Sequence, residues 1–216
     1  MLNNVEIVNA FLPFVKENPL YTDYAKIVQK LQDKNVVVDY ATINKNIVST
    51  DYTFKFLSPL YPDSKESSYL DFNMEDFPTE EDKNNLSSII YLEYAGVRFL
   101  FTGDAGILQE KVVTKLYKSN VYNAVGSNEI TLEDIDFLKV SNHGGSGANT
   151  NEFLSLIKPK NAIISTGENN YPSTYVMQKL IDCNEKVNIF RTDVDGATSV
   201  SVKPNGLVNV STAKNK

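Results

Sequence analysis

Asn84 to Asp104 read NNLSSIIYLEYAGVRFLFTGD, two apolar runs separated by Tyr94-Ala95-Gly96 and ended by a lone carboxylate. Ser88 to Glu93 and Val97 to Thr102 are rich in β-branched and aromatic residues, which predicts two strands around a turn. The second run is nearly all apolar, as a strand covered on both faces would be. Gly103 permits a sharp backbone turn, so Asp104 is expected to project from the strand's end, where sheet proteins commonly carry their chemistry. Two roles stay open for Asp104: metal ligand or acid/base group, and cap of the helix expected over Ile107 to Lys118.

The same arrangement recurs further on. Phe137 to Val140 reads as a short strand and opens into Ser141-Asn142-His143-Gly144-Gly145-Ser146-Gly147, which holds the chain's single histidine. The glycines let the backbone bend or approach a neighbour closely. A lone histidine is ordinarily structural or solvated, but His143 repeats the placement of Asp104 at the end of an apolar strand, which draws it toward function.

Outward from these two points the pattern alternates strand and helix. Residues 5 to 14 suggest a strand or short helix limited by Pro13. Thr22 to Lys34 predicts an amphipathic helix capped by Thr22 or Asp23, with Tyr24, Ile27, Val28 and Leu31 on one face. Val36 to Tyr40, Ile43 to Val48 and Tyr52 to Leu57 read as strands. Tyr61 to Lys83 is polar, acidic and aperiodic, a long loop within one domain spanning residues 1 to 216. Its Glu75, Asp76, Glu80, Glu81 and Asp82 read as a solvated run, a cation site being the alternative, and Tyr69, Phe72, Met74 and Phe77 suggest packing back or meeting a partner. Asn151 to Ile157 and Ser173 to Asn184 predict helices, the second capped by Ser173 or Thr174. Ala162 to Ser165 and Val187 to Arg191 predict strands. Ala197 to Val202 and Leu207 to Val210 predict a hairpin through Pro204-Asn205-Gly206. Asp193 and Asp195 fit a turn or a cation site.

A chain of 216 residues with 42% hydrophobic content is long enough for one core. Its net charge of −6, with Arg98 and Arg191 the only arginines, does not support a nucleic-acid-binding surface. Cys183 is the only cysteine, so no internal disulfide can form. No apolar run approaches the roughly 20 residues of a membrane span. These features and an N-terminus without a basic leader predict a soluble, cytoplasmic protein.

Four segments recur in order: NNLSSIIYLEYAGVRFLFTGDA, LKVSNHGGS, KPKNAIISTGENN and VNIFRTDVDGATSVSV. From Asn84 to Val202 they resemble the metallo-β-lactamase-fold domain of bacterial competence DNA-uptake proteins of the ComEC type. The resemblance implies an α/β fold, an αββα sandwich whose sheets meet at an edge bearing one or two zinc or manganese ions that activate water against a phosphodiester or related bond. Asp104 would match the metal-bridging aspartate and His143 the second histidine of a His-His-Gly-Ser motif, both as metal ligands and catalytic groups.

The chain departs from that pattern in three places. The family's N-terminal His-x-His-x-Asp-His cluster is absent, Asn142 stands in place of the first histidine of the later motif, and Tyr171-Pro172-Ser173 lacks the histidine of a Tyr-x-His-Pro. The sandwich is expected to lack its first strands, which would leave a sheet edge and apolar surface for a second copy or another chain to cover. Three outcomes follow: a hydrolase whose missing ligands come in trans, a degenerate relative acting as a binding or assembly module, and a piece of a longer hydrolase.

Overall fold

In the computed structural model the described residues are 5–13, 22–43, 45–47, 49–60, 65–71, 83–124, 129–167 and 171–214. Their centre is a seven-stranded mixed sheet. Strands β3 (Asn46–Ile47), β4 (Tyr52–Phe56), β5 (Ile90–Tyr94), β6 (Val97–Phe101), β7 (Phe137–Lys139), β8 (Asn161–Ile164) and β9 (Asn188–Arg191) follow one another in space as in sequence. Pairing is antiparallel from β3 to β6 and parallel from β6 to β9. β5 and β6 form the hairpin that Asn84 to Asp104 predicts, with its turn at Ala95-Gly96.

Side-chain alternation sorts this sheet into two unlike faces. One row across it runs Lys55, Tyr91, Leu100, Leu138, Ala162 in register. All five are buried, and the apolar four share a core with Leu108, Val112, Val113 and Leu116 of α2 (Ile107–Lys118), Phe153, Leu154 and Ile157 of α4 (Asn151–Ile157), and Val176 and Leu180 of α5 (Thr174–Cys183). Between them α3 (Val121–Ala124) is a single turn whose Tyr122 hydroxyl donates to Leu57 O at 2.6 Å.

The neighbouring row, Phe54, Leu92, Phe99, Phe137, lies on the opposite face. Two separate two-stranded pieces meet this side. β1 (Asn9–Leu12) pairs in parallel with β2 (Val37–Tyr40) and packs the Phe11 ring against the Phe56 ring, tilted, with centroids 5.3 Å apart. β10 (Thr198–Val202) and β11 (Val208–Thr212) form the hairpin expected near the C-terminus, and Val202 faces Leu92 and Phe99. Among the described residues these pieces do not join each other or the large sheet. The architecture is mixed α/β.

Several expectations are corrected. Phe101 at the end of β6 is 41% exposed, so that strand is not covered on both faces. The strand expected over Ile43 to Val48 has only Asn46 and Ile47 in it, with Asn44 and Val48 outside the described residues. In α1 (Thr22–Asp33) Leu31 is buried but Ile27 is 44% exposed. Tyr69 is exposed, while Leu70 beside it packs on the core. The acidic run, Phe72, Met74 and Phe77 lie outside the described residues. The turn reading of Asp193 and Asp195, by contrast, is met: Asp193 pairs with Arg191 and Asp195 accepts the Arg191 N–H at 2.8 Å, within the helical turn α6 (Thr192–Asp195).

Candidate functional site

β6, β7 and β8 are adjacent and parallel, so their carboxyl ends share one edge, where open α/β sheets carry their ligands. Asp104 follows β6, His143 follows β7 and Ser165 follows β8. Sequence separation of 39 residues collapses here to 3.5 Å between His143 Nε2 and Asp104 Oδ1. The expectation that two strand ends present these side chains is met in position, and the structure brings them together.

Asp104 does not cap the following helix. α2 starts beyond Gly106, whose extended backbone is the N-cap, and no side chain caps it. The Asp104 N–H donates instead to Ser87 Oγ at 3.3 Å. Its carboxylate is left facing the strand-end cluster.

His143 sits in a strained turn. Asn142, His143 and Gly144 have φ of 45°, 55° and 80°, three left-handed residues in succession. The left-handed region costs a non-glycine residue roughly 1–2 kcal/mol. The turn is tied to its neighbour by the Asn142 N–H, which donates to Gly103 O at 3.2 Å. On the ring, Nδ1 donates to Ser165 O at 2.5 Å, since a carbonyl only accepts. That bond fixes the imidazole and leaves Nε2 on the Asp104 side. The Tyr171 ring lies 6.5 Å away, near edge-on.

A third group belongs to the cluster and was not read from the sequence. Lys139, the last residue of β7, places Nζ 3.7 Å from Asp104 Oδ1 and donates to Gly103 O at 2.6 Å. Partial burial lowers its pKa, and Asp104 acts against that shift. Only the β6–β7 register sets Lys139 beside Asp104, so no pattern within the sequence marks it.

Zinc generally takes four N, S or O ligands. Asp104 and His143 supply two, and among the described residues no group of three His, Cys, Asp or Glu forms. The Lys139 ammonium moreover lies 3.7 Å from Asp104 Oδ1, a positive charge beside the carboxylate that would hold the metal. This donor set does not fit a resident zinc or manganese ion.

Together these features define an α/β protein whose mixed sheet carries a carboxylate, an ammonium and an imidazole at the ends of neighbouring parallel strands. Its sequence is 28% identical over 181 residues to ComE operon protein 3 of Bacillus subtilis (strain 168). The match covers 82% of this chain and 19% of the relative, so the chain spans about a fifth of that protein's length. No family model matches the chain. None of its described helices is long and apolar enough to cross a membrane.

Proposed function

We propose that this chain is a competence-related relative of the metallo-β-lactamase-fold hydrolases that works as a binding and assembly module, not as a self-sufficient hydrolase. The observation that carries this reading is the Asp104 carboxylate with Lys139 and His143 as its neighbours and no third donor residue among those described. Lys139 supplies Asp104 with the countercharge that a catalytic metal would otherwise provide. Similarity to ComE operon protein 3 supports the competence setting. The aromatic sheet face under β10–β11 supports a completing polypeptide, either a second copy or another chain.

Elemental analysis of purified protein tests the proposal. Zinc and manganese are expected far below one per chain, and near-stoichiometric metal would overturn it. A second reading, a hydrolase completed by ligands in trans, is favoured by one observation: Asp104 and His143 still converge, on a turn that is costly to keep. That reading requires metal-dependent phosphodiesterase activity, measurable on a chromogenic phosphodiester, which Asp104→Ala abolishes. The module reading expects the same background hydrolysis from both proteins.

A further inference from the structure

We infer that Glu110 is the positioning residue for His143: its buried carboxylate on α2 anchors the loop that carries the imidazole and so sets the imidazole's distance from Asp104. The inference rests on Asp104 and His143 being the site, and holds whether or not that site turns over a substrate.

Glu110 is 0% exposed, and each of its oxygens accepts a backbone N–H, Oε1 from Asn149 at 2.6 Å and Oε2 from Thr150 at 2.7 Å. Burying a carboxylate is expensive, and burial pushes the Glu110 pKa up against the opposing pull of those two amides. Capping α4 does not require it, because Thr150 already accepts the Phe153 N–H through its own side chain. What Glu110 adds is a fixed place for Asn149. Asn149 is held left-handed at φ 61°, and its Nδ2 donates to Ser141 O at 3.1 Å and Gly145 O at 3.4 Å. Ser141 and Gly145 flank the strained Asn142-His143-Gly144 turn. From α5, Lys179 Nζ adds a bond to Asn149 O at 3.0 Å.

Asp104 lies three residues before α2 begins. One helix therefore governs both partners: its start follows the turn bearing Asp104, and its first turn grips the loop bearing His143. An apolar residue at position 110 could fill the same space but could not hold two consecutive amides.

Because the chain has a single histidine, its imidazole resonances are unambiguous. In Glu110→Gln the side-chain amide cannot accept both N–H groups. The His143 carbon-bound ring protons are then expected to move toward free-histidine positions, and the Nδ1 proton to exchange faster as its bond to Ser165 O loosens. Val113→Ala, buried on the same helix, controls for destabilisation alone and should leave these signals in place. A folded Glu110→Gln with unmoved resonances, or an equal shift in Val113→Ala, overturns the inference. Should Glu110→Gln not fold, Asn149→Gly keeps the left-handed backbone and the amide N–H while removing the ties to Ser141 and Gly145. It is expected to produce the same shift, and its silence overturns the inference equally.

Discussion

Lys55 is a charged side chain in a place built for apolar ones. It lies on β4 in the helix-facing row beside Tyr91, is 1% exposed, and donates from Nζ to Tyr122 O at 2.7 Å. Burial lowers its pKa. The native state thus gives up this proton more easily than the unfolded chain, whose lysines titrate at about 10.4. Between the folded value and that one the unfolded state binds more protons, so Lys55 contributes stability that grows as pH rises. Tyrosines act the other way: half-buried Tyr117 is pushed up to about 12, and buried Tyr91 and Tyr122 are raised too, so the unfolded chain loses their protons at lower pH than the folded protein and stability falls there as pH rises. The difference between wild type and Lys55→Met removes that common background. Urea midpoints from pH 7 upward should show wild type gaining on Lys55→Met as pH approaches the ordinary lysine range. A gap independent of pH would show that Lys55 carries no such shift.

Turns, at the scale of elements, separate conformational strain from steric cost. Gly96, in the β5–β6 turn, has φ 77° and open space where a Cβ would stand. Gly144, beside His143, has φ 80°, and a Cβ there would come within 2.5 Å of Pro172 Cβ. Gly96→Ala is therefore expected to cost about 1 kcal/mol, from the left-handed backbone alone. Gly144→Ala should cost roughly 2–5 kcal/mol, because overpacking adds to that strain. Denaturant midpoints of the two variants check the difference, and equal losses would mean that Pro172 moves aside freely. The N-cap of α5 gives a third case at this scale. Ser173 Oγ accepts the Val176 N–H at 3.4 Å, and Ser173→Ala should lower stability by about 1 kcal/mol by the same measurement.

These elements also show which parts of the structure the sequence discloses. Ile107–Lys118 and Asn151–Ile157 are read to the residue, because helical spacing and flanking signals agree in both. Asp104 and His143 are legible as strand-end groups because an apolar run stops just before each. The cap role left open for Asp104 fails on a backbone detail, Gly106 taking the N-cap position, which no residue pattern encodes. Lys139 and Glu110 were invisible for a different reason. Their partners, at positions 104, 149 and 150, depend on strand register and on how α2 meets α4, and these contacts are long-range. The two-residue β3 is too short to show a period at all.

At the scale of the molecule, the two faces of the large sheet are finished unequally. Helices bury one row completely, whereas Phe54, Leu92, Tyr94, Phe99 and Val202 line an apolar groove of about 500 Å³ on the other. Tyr52, at the groove's margin, is 37% exposed, and Phe101 farther along the same face is 41% exposed. The hairpin over this face covers it with strands whose outward residues Ser199, Ser201, Asn209 and Ser211 carry no charge. Such polar side chains suit water, whereas the apolar groove beneath does not and suits a second polypeptide layer. The protein alone is then expected to associate with itself at high concentration, giving a light-scattering mass above the 24.2 kDa of one chain. Tyr52→Lys places a charge at the groove's margin without opening the core. It should return the mass to that of one chain and change stability by no more than about 0.5 kcal/mol, as surface substitutions do. A wild-type protein that scatters as one chain at every concentration and binds no apolar dye would remove self-association and an open apolar face together.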